Sequence, residues 1–256
     1  DTLSLHDALP ILQNPHGKQD LSMRPAAVAI IGTGAVAHYH AMHLAGCANA
    51  RLVAVVDSNR DAAVAFGAKW RVANVFGSVQ ELFDSKVATA VHICTPPNSH
   101  ESLIRECLDN SLDVLVEKPV AFSRKATEEL YEKARKKGLM LIPDYSLFFT
   151  DQMCRARKWI EAGAIGKIVH VDCLYHTELD RGRLDDPLQP PWIFGLPAGP
   201  LHNFFTHPLY LVLQFTGRVR DVKLAPRHTG CLPQGVTDHL DILIDGEKCA
   251  GSINVS

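Results

Sequence analysis

The chain has 256 residues, of which 46% are hydrophobic and 21% charged, enough apolar matter for one large or two modest cored domains. Its formal net charge is −2 and it carries no basic run, which argues against a nucleic-acid surface; no apolar segment is long enough to span a membrane. The seven cysteines (47, 94, 107, 154, 173, 231 and 249) are scattered and never form C-x-x-C, a pattern that suits reduced cytoplasmic thiols packed in small holes better than disulfides or a zinc site.

Residues 1–22 have neither a basic n-region nor a long apolar core, so they are not a secretory signal. Met23 stands just before the first expected strand, and 1–22 are expected to be a non-native leader. The body begins with AAVAIIGTGAVAHYH at 26–40: a short apolar strand, a glycine turn, then helix-forming sequence. That order cradles a dinucleotide pyrophosphate. Gly32 permits the tight turn, Gly34 lets phosphates approach the backbone past Thr33, and the helix opening at Ala35 and Val36 offers unpaired N–H groups. Ala37 takes the third glycine position, which serves only close helix–strand packing. A second strand, 52–56, ends in Asp57, about 20 residues beyond Ala37, where an acid grips a ribose diol. Together the two features predict a nicotinamide cofactor; the structural alternative is a glycine turn that merely packs. Asp57, followed by Ser58, favours NAD because it would repel a 2′-phosphate, while Arg60 leaves NADP open.

Further along, 59–70 reads as a helix with Ala62, Ala63, Val64 and Phe66 on its buried side. Residues 75–76 form a short strand, and Ser78 caps a helix through Phe83. A buried strand at 90–94 ends in the proline turn Thr95-Pro96-Pro97-Asn98, after which Ser99 starts a helix to Asp109. The strand 113–116 ends in Glu117-Lys118-Pro119. Ser123 opens a charged helix closed by Gly138, and 139–142 is another strand. Strands that are continuous apolar runs, alternating with helices, mean a parallel sheet covered on both faces.

Beyond Tyr145 the rhythm changes. A helix at 151–162 precedes strands at 167–176, 219–224 and 239–243, with Asp245-Gly246 as a hairpin turn before 248–255. The chain stops inside this last strand, so the second sheet is expected to be incomplete. The expected fold class is α/β: an N-terminal Rossmann, doubly wound parallel sheet over 23–146, then an α/β domain with a large, mostly antiparallel open sheet over 147–256.

Five motifs in this order, GTGAVAHYH, CTPPNSH, VEKPVAFS, EAGAIGKIVHVD and GPLHNFFTHPLYLVLQFTG, resemble the glucose–fructose oxidoreductase / inositol dehydrogenase family of NAD(P)-dependent oxidoreductases. The resemblance implies hydride transfer between NAD(P)(H) and a hydroxyl or carbonyl carbon of a sugar, cyclitol or related polyol. It also implies an open sheet that often mediates homo-oligomerisation. Lys118 lies on the lysine that hydrogen-bonds the substrate hydroxyl, at a strand's carboxyl end where open α/β sheets bind ligands. Its structural alternative is a surface lysine before a turn. Glu117 would brace that turn, Pro119 could follow a cis bond, and Thr95, Pro96, Asn98 and His100 would run under the nicotinamide ribose.

His207 lies on the family's catalytic histidine, suited to accept the alcohol proton. The family's aspartate one turn earlier is Asn203 here, which orients an imidazole without neutralising imidazolium. A charged hydrogen-bond partner is worth roughly 1.5–3 kcal/mol against about 1 for a neutral one, so His207 is expected to be the weaker base; the alternative is a packed histidine. Leu147-Phe148-Phe149 departs from the polar or arginine residue common in relatives and predicts a more apolar pocket, with Trp192, Tyr175, His176 and Arg181 as candidate lining. Asn203 and Phe148 also suit a competing class, a cofactor-sensing protein of the same fold without turnover. Of His38, His40 and His43 only the last two share a helix face, with no acid or cysteine near in sequence, and His176, Glu178 and Asp180 read as a solvated edge; no metal is expected.

Overall fold

The computed structural model describes residues 25–178, 192–196, 199–232 and 235–256; the expectations for the leader, Asp180, Arg181 and the Trp192 side chain lie outside the described residues. The chain divides after Asp144 into two compact units.

The first unit alternates strand and helix: β1 (Ala26–Ile31), α1 (Ala35–Ala45), β2 (Ala50–Val56), α2 (Arg60–Trp70), β3 (Asn74–Phe76), α3 (Val79–Ser85), β4 (Ala90–Ile93), α4 (His100–Asp109), β5 (Asp113–Val116), α5 (Arg124–Lys137) and β6 (Leu141–Pro143). The strands make one sheet in the order β3-β2-β1-β4-β5-β6, and every pair is parallel. Because the side-chain period of a strand is two, an all-apolar strand needs cover on both faces. Val28, Ile30 and Val55 pack with Ala37, Ala41 and Leu44 of α1 and Phe66 of α2. Ala29, Ile31, Ala54, Val56, Val91 and Val114 point the other way, onto Ile104 and Leu108 of α4 and Leu130 of α5. Leu108 and Leu130 are fully buried, so truncating either to Ala would cost about 2–5 kcal/mol.

The helix boundaries follow their capping chemistry. Asn59, Ser78 and Ser123 each accept a backbone N–H from three residues on, and Gly138 closes α5 in the left-handed conformation. One expected core residue is misplaced. Val64 is 53% exposed while Ala63, Phe66 and Gly67 are buried, since 100° per residue turns position 64 off that face.

The second unit holds α6 (Asp151–Glu161), β7 (His170–Tyr175), α7 (Gly199–Phe204), α8 (Thr206–Thr216), β8 (Val219–Arg227), β9 (His239–Gly246) and β10 (Ala250–Val255). Its sheet runs β7-β10-β9-β8 and is mixed: β10 is parallel to β7, while the β10–β9 and β9–β8 pairs are antiparallel. One face carries Ile242, Ile244, Ile253 and Val255, buried with Leu201 of α7 and Val212 of α8. The helix breaks at Phe205, and Pro208 sits in the first turn of α8, where its missing N–H is harmless.

The expected Asp245-Gly246 turn is corrected. Both residues remain paired in β9, and the chain reverses through 247–249 instead. Gly246 answers a different demand: a Cβ there would lie 2.5 Å from both the Cys249 and Thr216 carbonyl oxygens. Among the described residues no helix is long and apolar enough to cross a membrane. The seven cysteines are unpaired, with Cys94, Cys107 and Cys249 buried but Cys47 and Cys231 exposed.

Candidate active site

In the first unit the strand order reverses between β1 and β4, and open α/β sheets bind ligands in the crevice at that switch point. Gly32 turns there with φ +91°, and a Cβ on it would stand 2.9 Å from Thr95 Cγ2 and 3.0 Å from the Cys94 carbonyl carbon. Only glycine fits. Gly34, by contrast, has nothing within 4 Å of its Cβ position, and it heads α1 with no side-chain cap and no acid in the first turn. A helix N-terminus with no acid in its first turn suits an anionic group such as a pyrophosphate. Ala35 is exposed, Val36 half-buried, and Ala37 fully buried against the sheet, as the third motif position requires.

Asp57 closes the loop from the side. Its Oδ2 accepts the Thr33 amide at 2.8 Å and the Thr33 hydroxyl at 2.6 Å, and its Oδ1 accepts the Asn59 amide at 2.9 Å. Ser58 and Arg60 are exposed, and the Arg60 guanidinium lies 3.8 Å from the Glu81 carboxylate.

After β4, Pro96 and Asn98 are exposed and Thr95 is half-buried, its hydroxyl accepting Ser99 Oγ at 2.7 Å. His100 is wholly buried. Its Nδ1 lies 2.7 Å from the Pro119 carbonyl and its Nε2 2.9 Å from the Thr95 carbonyl, so the ring ties the proline turn after β4 to the lysine turn after β5. The Lys118–Pro119 bond is cis. Lys118 is 9% exposed, far from a solvated surface lysine, and burial pushes its ammonium below the usual lysine range against the pull of Glu117 and Asp144. The Lys118 amide donates to Glu117 Oε2 at 3.3 Å.

His40 corrects the sequence reading of the α1 histidines. No acid or cysteine stands near it in sequence, yet the ends of β4, β5 and β6 converge on its ring. Nε2 lies 3.4 Å from both Glu117 Oε1 and Asp144 Oδ2, and Nδ1 lies 3.1 Å from His92 Nδ1. His40, Glu117 and Asp144 thus offer three ligand atoms within 4.8 Å of one another. His38 serves packing: it accepts Trp70 Nε1–H at 2.8 Å and stacks on Phe66.

In the second unit His207 is the second residue of α8. Its Nδ1 lies 3.0 Å from Tyr210 Oη, and its ring stacks on Tyr175 with centroids 6.0 Å apart. Tyr210 Oη also accepts the Leu147 amide at 3.3 Å. Tyr210 was not singled out from sequence, although its i, i+3 spacing from His207 put it within reach. Tyr145 and Phe148 pack on Tyr210 at 4.5 and 4.7 Å, which makes the departure at Phe148 an aromatic support for the histidine; Phe149 is exposed. Burial pushes the Tyr145 phenol up and the His202 imidazole down. Asn203 lies on α7, half-buried, and His176 and Glu178 are exposed, with His176 Nε2 2.9 Å from Asn254 Oδ1. Lys118 and His207 therefore belong to different units.

Two family models match the chain. One, described as an oxidoreductase family with an NAD-binding Rossmann fold, matches residues 26–145, and the other, a GFO/IDH/MocA C-terminal domain, matches 153–256. The scyllo-inositol 2-dehydrogenase (NADP(+)) IolU of Bacillus subtilis is 27% identical over 76% of this chain and 60% of its own length. The D-glucoside 3-dehydrogenase of Escherichia coli is 30% identical over 59% of this chain and 43% of its own length. The chain thus spans less than two thirds of these curated relatives. An oxidoreductase from Agrobacterium radiobacter, crystallised with NAD+, L-tartaric acid and magnesium, superposes with a TM-score of 0.82 at 18% identity, over 90% of this chain and 66% of that one, and shares its fold. With both domains matched in order, the chain belongs to the Gfo/Idh/MocA family of oxidoreductases and carries its NAD-binding Rossmann domain at residues 26–145.

Proposed function

We propose that this protein is a dehydrogenase that moves a hydride between NAD(H) and a hydroxyl or carbonyl carbon of a sugar, cyclitol or related polyol. The observation that carries the reading is Lys118: an ammonium buried at the carboxyl end of β5, braced by Glu117, beside the switch-point crevice. Relatives named as inositol and glucoside dehydrogenases supply the substrate class.

The backbone at Gly32, Thr33, Gly34, Ala35 and Val36 holds the pyrophosphate of the cofactor, Asp57 with Ser58 faces the adenosine ribose, and Thr95, Pro96, Asn98 and His100 shape the floor of the nicotinamide side. When bound, the nicotinamide takes up or returns the hydride. Lys118 donates a hydrogen bond to the substrate oxygen and stabilises the alkoxide charge that develops as the hydroxyl proton leaves. His207 accepts that proton, and in the reverse direction returns it to the carbonyl oxygen. Tyr210 Oη can accept Nδ1–H of His207, which leaves the Nε2 lone pair for the proton, and Asn203 helps to orient the ring. Asp57 favours NAD over NADP, and the pairing of Arg60 with Glu81 weakens a cation that would welcome a 2′-phosphate.

The exposed face of the second sheet, including Leu174 and Leu243, supports self-association as a homo-oligomer. A second reading, a cofactor-sensing protein without turnover, rests on Asn203 in place of the family's aspartate. NADH formation on a panel of polyols decides between them: turnover supports the dehydrogenase, and tight NAD binding with no turnover on any member supports the sensor.

A further inference from the structure

The pairing of β4 with β5 runs to Ile93 and Val116, and the two strands then part into separate turns. Sheet hydrogen bonds hold each chain up to that point. The Cys94 amide donates to the Ile31 carbonyl at 2.8 Å, and the Glu117 amide to the Ile93 carbonyl at 3.0 Å. Just beyond, the Thr95 and Pro119 carbonyls both meet one side chain, the His100 ring, at 2.9 and 2.7 Å. That residue is 0% exposed, so it supports the turns from beneath and offers no atom to a bound nicotinamide.

We propose that His100 is a positioning residue for Lys118: its ring donates to both carbonyls and, by fixing Pro119 against Thr95, sets where the lysine turn stands. The catalytic consequence rests on the dehydrogenase reading, whereas the geometry does not. A carbonyl oxygen only accepts, and a neutral imidazole has one donor nitrogen and one acceptor. Two carbonyl partners therefore call for the ring form with an N–H on both nitrogens. Both distances lie in the ordinary N–H···O range, and a flipped ring would set carbon atoms against both oxygens.

Contacts run outwards from the ring in both directions. On one side Thr95 packs on the glycine loop, its Cγ2 only 2.9 Å from where a Cβ on Gly32 would stand. On the other, Lys118 lies between Glu117, pinned by the sheet, and Pro119, pinned by His100. What His100 fixes is the main chain that carries Lys118, whatever its ammonium bonds. One buried side chain thus sets the spacing between the glycine loop and the lysine turn. Loss of its two donors should shift the ammonium, and a displacement of about 1 Å is enough to cost tenfold or more in rate.

The test combines NMR and kinetics on the purified protein. Nitrogen NMR of the wild type in assay buffer should show an N–H on both His100 ring nitrogens, a measurement that requires no variant to fold. On the polyol panel, His100→Leu should lower kcat about tenfold or more, and His100→Gln, which keeps N–H donors, only about threefold. In a Lys118→Ala background the same substitutions should change kcat by less than about twofold, because the group they act through is gone. An N–H on one ring nitrogen only overturns the proposal. A kcat loss that persists undiminished in Lys118→Ala also overturns it, since that marks a general structural defect. A wild type without turnover on any polyol removes the dehydrogenase reading alone. The NMR signal of the Lys118 ε-carbon then decides the role of His100: it should shift in His100→Gln, and an unmoved signal overturns the proposal.

Discussion

The Asp57 carboxylate and Thr33 are joined by two hydrogen bonds, 2.8 Å to the amide and 2.6 Å to the hydroxyl, across 24 residues of sequence. The acid that follows β2 is therefore a strut for the glycine loop as well as the proposed ribose acceptor. Asp57→Ala should weaken NAD binding by about 1.5–3 kcal/mol, the worth of charged hydrogen bonds, and raise the NADP-to-NAD affinity ratio because a repelling charge is gone. Titration calorimetry with both cofactors checks it; an unchanged ratio would speak against Asp57 facing the ribose.

The two motif glycines do different work and should fail differently. Gly32→Ala meets Thr95 and Cys94 at about contact-forbidden range and needs positive φ, so it should destabilise the protein by about 1–3 kcal/mol in denaturant unfolding. Gly34→Ala enters open space, so stability should stay within about 0.5 kcal/mol while NAD binding weakens. Equal loss of stability in both would contradict the division.

Tyr210 links His207 to the Leu147 backbone. Tyr210→Phe should leave cofactor affinity unchanged and lower kcat about fivefold, since one hydrogen bond of roughly 1 kcal/mol orients the ring. Asn203→Asp should raise kcat about tenfold by giving the imidazolium a charged partner. Steady-state kinetics of both variants test the assignment of His207, which a merely packed histidine would not pass.

Asp238 offers a pH test of the second unit. It is buried, and the amides of Thr229, Cys231 and Leu232 donate to its carboxylate, holding it down to about 2 against the opposing effect of burial. A carboxyl whose folded pKa lies below its unfolded one stabilises fully above about pH 4, and that stabilisation, at most about 2 kcal/mol, is lost as pH falls towards 2. Asp238→Asn should therefore remove most of the acid-dependent part of the stability in denaturant titrations between pH 4 and pH 2. A wild-type and variant difference that does not change with pH would contradict it.

Much of the first unit is legible in its sequence because its strands are largely apolar runs and three of its five helices have a side-chain cap. Asn59, Ser78 and Ser123 announce α2, α3 and α5 by local chemistry alone. The glycine loop is legible too, since Gly32, Gly34 and Ala37 stand at the fixed spacing of a known motif. What escapes is long-range convergence. His40 looks isolated until β4, β5 and β6 end around it, and Tyr210 looks like one more apolar position on α8 until Leu147 folds onto it. Gly246 reads as a turn residue, but close approach to the Thr216 carbonyl, 30 residues earlier, and to the Cys249 carbonyl is what requires it. Val64 fails as a core position because composition marked it apolar while helical phase turned it outwards.

The most direct test of the account is NADH formation by the protein on a polyol panel, wild type beside Lys118→Ala. The account predicts measurable turnover by the wild type on at least one sugar or cyclitol, and a loss of about a hundredfold or more in kcat for Lys118→Ala with NAD binding retained. Full turnover in Lys118→Ala would contradict the role given to the buried ammonium.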